Sequence, residues 1–124
     1  MDTNALLEKL HAVDLECRSL GRTAAILQWD QETYLPEAGV EERAEQLALL
    51  GALNHERFAC DKTEQLLLEL GSTGDNPSGD EKLPPLERDF IKVMRRDYDR
   101  EKKLPLEFVA AAAKAEGLSI AAWA

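Results

Sequence analysis

"ALLEKLHAVDLECRSLGRTAAIL", Ala5 to Leu27, decides the fold class. Apolar residues recur at Leu6, Leu10, Val13, Cys17, Leu20, Ala24 and Leu27. The steps alternate four and three without a slip, which draws one seam down one face of a helix. Asp2, Thr3 and Asn4 offer N-caps, and the pattern runs to about Gln31. Gly21 lies inside it and costs roughly 1 kcal/mol against alanine. The seam continues on both sides of it, so one long helix is expected, with a packing face. Seven positions are too few to prefer a free coiled coil over a bundle helix.

The rest of the chain fits the same class. Pro36 and Gly39 break the pattern, and "GVEERAEQLALLGALNHERF" follows as a second helix. Its shared face holds Val40, Ala44, Leu47, Leu50 and Leu53 or Asn54. Glu41 and Glu42 in its first turn, with His55 and Arg57 in its last, complement the helix dipole. "DKTEQLLLELG" reads as a third helix with an Asp61–Glu64 capping box and Gly71 as its stop. Residues 71–82, "GSTGDNPSGDEK", read as a flexible surface loop.

A fourth helix starts at Pro84 or Pro85, with Leu86, Phe90, Val93, Met94, Asp97 and Tyr98 defining its faces. "RRDYDREKK" mixes both signs and is expected to be a solvated face, not an anion site. Pro105 opens a fifth helix, with Phe108, Val109, Ala112, Ala115, Ile120 and Trp123 on its buried side. No strand or hairpin pattern occurs, so the expected fold is all-α: five helices in antiparallel hairpins within a single region, residues 1–124.

Composition excludes several functions. The net charge is −9 over 124 residues, so a phosphate backbone would be repelled and nucleic acid is not an expected partner. No apolar run approaches about 18 residues, so no membrane span is expected. The acidic start "MDTNALLEKL" is unlike a signal peptide. Cys17 and Cys60 lack C-x-x-C spacing and are expected reduced, which suits a cytoplasmic protein. "SIAAWA" closes the chain without Gly, Pro or a basic turn, so its last helix reads as cut short.

His55-Glu56 invites comparison with the zinc motif H-E-x-x-H. That motif needs a second imidazole four residues on, so that both leave one helix face. Ala59 holds that position here. The other histidine, His11, is distant in sequence. No G-x-S-x-G or Walker loop is present, and no acid–base pair stands out among the many carboxylates. The expected catalytic and metal residues of this chain are therefore none.

The order of residues carries more than any one of them. Trp29, Asp30, Thr33 and Pro36 are followed by a short Gly-containing turn, then Arg43 and Gln46, then His55 and Glu56. This series closely resembles the N-terminal region of the carboxypeptidase Taq family of metallocarboxypeptidases. "YDREKKLPLEFV" resembles a later D-R-x-x-K-L-P segment, and the closing "AAWA" resembles the start of an A-W-x-x-A-R stretch. The resemblance implies an all-helical hydrolase, commonly a homodimer, with a substrate groove walled in part by N-terminal helices. It implies zinc or cobalt and release of C-terminal amino acids from peptides.

Family members are several times longer. Their H-E-x-x-H site and later glutamate ligand have no matching position in this chain. The expectation is scaffold without chemistry, with the remainder of a peptidase or a second copy as partner and peptide contact as an option. Trp29 and Asp30 are expected to pack against helices outside this chain, or to form a local helix-end device. The alternatives are a stand-alone interaction or dimerisation module, and a peptide-binding module that keeps part of the groove.

Overall fold

The computed structural model describes residues 2–123, and their side chains as far as residue 119. Five α-helices follow in order: α1 (Thr3–Thr33), α2 (Val40–Phe58), α3 (Asp61–Glu69), α4 (Pro85–Lys102) and α5 (Leu106–Trp123). A single 3-10 turn, Glu37–Gly39, precedes α2. Among the described residues there is no strand. The all-α expectation holds, and α1 runs unbroken through Gly21. The chain divides into two compact units: Met1–Leu15 with Phe58–Lys103, and Glu16–Arg57 with Leu104–Ala124.

The first unit owns a conventional core. Leu6, Leu7 and Leu10 of α1 meet Leu67, Leu70, Leu83, Ile91, Met94 and Tyr98, all buried. Phe58 sets its ring edge against Tyr98 at 6.2 Å. His11 stacks on Phe90 at 4.0 Å and reaches Glu87 with Nε2 at 2.8 Å.

On α4 the buried face is Ile91, Met94, Arg95 and Tyr98, spaced three, one and three. Of the residues expected to define the faces of this helix, Met94 and Tyr98 are buried, while Leu86 and Val93 are 82% and 44% exposed. Ile91, which that reading left out, is at the centre of the buried face. "RRDYDREKK" is not wholly a solvated face either, because Arg95 is 4% exposed and Tyr98 1%.

Arg95 explains itself through the loop before α4. Its Nη2 donates to the Ser72 carbonyl at 2.6 Å and its Nε to Ser72 Oγ at 3.3 Å. Its Nη1 donates to Asp99 at 3.2 Å. Ser72 Oγ in turn donates to the Pro77 carbonyl at 2.8 Å. A buried cation is tolerated because every direction it points finds an acceptor.

The ends of α3 divide the expectations. Gly71 has φ of +83°, its N–H donates to Leu68 O at 2.9 Å, and Ser72 N–H donates to Leu67 O at 2.8 Å. That is the Schellman stop anticipated at Gly71. The capping box does not form: Cys60 is the N-cap and makes no side-chain capping bond. Glu64 turns instead toward Lys102 Nζ at 2.9 Å and Tyr98 OH at 3.2 Å. A bond to an ammonium is stronger than one to a neutral backbone N–H, so the carboxylate leaves the helix end.

The second unit is packed through small residues. Ala44, Leu47 and Ala48 of α2 are buried. Gly117 of α5 lies so close that a Cβ there would meet Ala44 Cα and Leu47 Cδ1, each at 3.3 Å. A Cβ on Gly51 would meet Ala113 Cβ at 3.3 Å. The α5 face therefore runs through Val109, Ala113 and Gly117 in steps of four. Ala112 and Ala115 are exposed, and so is Phe108 at 57%. Val109 lies on the face as expected, but Ala113 and Gly117 replace Ala112 and Ala115, because the contact follows the close approach of α2. Ile120 and Trp123 lie outside the residues whose side chains are described.

Candidate functional site

The motif residues converge where α1 ends and α2 begins. Arg43, in the first turns of α2, points its guanidinium back at the last turns of α1. Nη1 donates to the Leu27 carbonyl at 2.7 Å and to Asp30 Oδ2 at 3.0 Å. Nε donates to Gln46 Oε1 at 2.9 Å, one turn along its own helix. The Arg43 side chain is 13% exposed and that of Asp30 39%, so the pair sits at the edge of solvent. A planar guanidinium spreads its donors over separate nitrogens in a fixed fork, so Nη1 and Nε reach acceptors on two helices at once, whereas a lysine offers a single point of charge.

The turn that carries Asp30 is closed by local bonds. Thr33 Oγ1 donates to the Trp29 carbonyl at 2.8 Å. The Asp30 carbonyl accepts from the N–H groups of Tyr34 and Leu35, at 2.8 and 3.0 Å. Pro36 then takes extended backbone, φ −64° and ψ 151°, and the 3-10 turn follows. Asp30 thus finds its partner inside this chain. Trp29 faces outward, 58% exposed, with its ring edge-on to Tyr34 at 5.7 Å.

Gln31 is the residue that sequence reading missed. It is 8% exposed, and its Nε2 donates to the Gly117 carbonyl at 2.5 Å. Its Oε1 has no hydrogen-bond partner. Only the neighbouring apolar seam could have hinted at burial there, because glutamine is usually exposed.

His55 and Glu56 belong to a different place. They occupy the last turn of α2, about 18 Å from Arg43 along the helix axis at 1.5 Å per residue. His55 is half-buried and Glu56 exposed. Ala59, where a second zinc imidazole would stand, lies beyond the end of α2. Among the described residues no group of three His, Cys, Asp or Glu side chains could hold a metal ion. The residues present do not fit a catalytic metal. What the arrangement can do is fix a helix–turn–helix corner with a charged fork.

A separate open groove of about 530 Å³ runs beside α4, lined by Gly74, Pro77, Lys92, Val93, Arg96 and Asp99 among others. Its charged lining is mixed: the cations Lys92, Arg95 and Arg96 stand with the carboxylates Asp89 and Asp99. No described helix is long and apolar enough to cross a membrane.

Comparison with known proteins agrees with the motif order. Thermostable carboxypeptidase 1 of Thermus thermophilus is 26% identical over 125 aligned residues, spanning 99% of this chain and 23% of that protein. Thermostable carboxypeptidase 1 of Pyrococcus furiosus is 28% identical over 107 residues, covering 85% of this chain and 20% of its own length. The chain thus spans less than a quarter of these curated relatives. No solved structure matches it. Residues 9–124 match the family described as carboxypeptidase Taq (M32) metallopeptidase, and the chain belongs to that family as a stretch of its N-terminal region.

Proposed function

We propose that this chain forms the N-terminal helical wall of a carboxypeptidase Taq-type enzyme, a cytoplasmic metal-dependent hydrolase that releases C-terminal amino acids from peptides. The chain supplies packing and helix placement. Zinc or cobalt chemistry belongs to residues that it does not contain. One observation supports this most directly: the motif residues Asp30, Arg43 and Gln46 are joined to each other in a corner-fixing network. In this reading the three serve packing rather than chemistry.

The test is a peptidase assay on the purified 124-residue chain with apo buffer, zinc or cobalt. The expected result is no release of C-terminal residues in any of the three. Metal-dependent release that survives removal of contaminating peptidases overturns the proposal.

A further inference from the structure

The two units differ in how well each covers its own apolar side chains. The first has the nine-residue core already described. In the second, among the described residues, the buried apolar side chains are Ala44, Leu47 and Ala48, two of them alanines. The same unit leaves Ile26, Trp29, Tyr34, Leu49, Leu53 and Phe108 at 66%, 58%, 74%, 61%, 44% and 57% exposure. Scattered exposed leucines are ordinary, but an exposed tryptophan, tyrosine and phenylalanine beside an alanine-rich packing seam are not.

We propose that the second unit is a half-built layer whose outer apolar side chains, Ile26, Trp29 and Tyr34 foremost, dock the polypeptide that follows this region in M32 proteins. The occupant is set by length: the curated relatives carry more than three times as much chain beyond what matches here. The inference rests on the proposed family role and adds which unit and which side chains make the contact. The Asp30–Arg43 fork holds the turn that presents Trp29, so it is a positioning device for this surface.

Hydrogen exchange on the 124-residue chain gives the first test. Amides of residues 40–57 should exchange on the order of tenfold or more faster than those of residues 61–70 and 85–102. Equal protection of both units overturns the inference by itself. The second test fuses the chain to the portion of the Thermus thermophilus relative that follows the matched stretch. Hydroxyl-radical footprinting then reads Trp29, Tyr34 and Leu49 in the isolated and fused proteins. A several-fold fall in labelling on fusion is expected, and Trp29→Ser should lower the melting temperature of the fusion while leaving that of the isolated chain unchanged.

A fusion that regains metal-dependent peptidase activity while Trp29 stays fully labelled keeps the family role and overturns the docking surface. A fusion that shields Trp29 without activity upholds the surface and counts against the family role. Concentration-dependent shielding of Trp29 in the isolated chain, with a dimer on gel filtration, names a second copy as occupant and overturns the assignment.

Discussion

Replacing Arg95 by methionine tests whether the buried cation holds the loop before α4. Arg95 is 4% exposed, and the Ser72 that it bonds is fully buried. Methionine keeps most of the stem's packing but removes every donor. The Ser72 carbonyl then loses a charged donor at 2.6 Å with no solvent to replace it. Such a loss costs about 1.5–3 kcal/mol. The contacts to Asp99 and Glu64 add little, because those carboxylates are 47% and 30% exposed and water screens them. Relief from desolvating a guanidinium works the other way, but it approaches neutrality only when both partners are replaced.

The net expectation for Arg95→Met is a loss of about 2–3 kcal/mol, which is roughly 10 °C in melting temperature for a chain of this size. Arg96→Met is the matched control. Arg96 is 61% exposed and bonds its neighbour Asp97, so its loss should stay within about 0.5 kcal/mol. Urea denaturation of the two variants beside the parent measures both. If Arg95→Met and Arg96→Met differ by less than about 0.5 kcal/mol, the guanidinium does not anchor the loop and the reasoning from burial is wrong.

Three further outcomes are expected. Gly117→Leu should destabilise the α2–α5 packing by about 1–3 kcal/mol, whereas Gly117→Ala should be near neutral because about 1 kcal/mol of helix propensity offsets the tight 3.3 Å contact; calorimetry separates them. An Asp30→Ala, Arg43→Met double-mutant cycle read by urea melts should give a coupling of about 0.5–1 kcal/mol, and no coupling would mean the fork is a surface accident. The Lys102 ammonium bonded to Glu64 holds that carboxyl below its usual range, so its contribution is present above the ordinary carboxylate pKa of about 4.3 and is lost as pH falls through the lower folded value. Lys102→Met should flatten that acid limb in a pH series of thermal melts. Burial, and then the Glu64 charge, push the Tyr98 phenol up, so stability should also fall as pH rises past about 10.

Much of the fold was legible because it depends on period and punctuation. The four-three spacing gave α1, the Pro84–Pro85 pair marked the start of α4, which the structure puts at Pro85, and Gly71 gave a stop whose bonds are those expected of it. What period does not carry is phase within an alanine-rich or highly charged helix. Arg95 reads as solvated until a loop carbonyl is seen to face it. Ala113 and Gly117 read as no better than Ala112 and Ala115 until a second backbone arrives within contact distance. The candidate corner was legible only as an order of letters. Nothing in Asp30 or Arg43 alone indicates that they meet.

The seam that opened the sequence shows the limit most sharply. Its positions are equivalent by spacing from Leu6 to Leu27, yet Leu6, Leu10 and Val13 are buried while Cys17, Leu20, Ala24 and Leu27 are half-buried. Spacing says which side chains share a face; it says nothing of what covers that face. The covering is supplied by other chain, and along the first turns α3 and α4 supply it. Further along, α1 meets α2 and α5 through polar contacts, Arg43 to the Leu27 carbonyl and Asp30, and Gln31 to the Gly117 carbonyl. A uniform seam with uneven burial is what the docking proposal predicts, because it assigns the cover of the second half to polypeptide outside these 124 residues. The corner shows the same contrast between neighbours: the Asp30 carboxylate is answered locally by Arg43, while the indole of Trp29 stays 58% exposed, as the docking proposal requires.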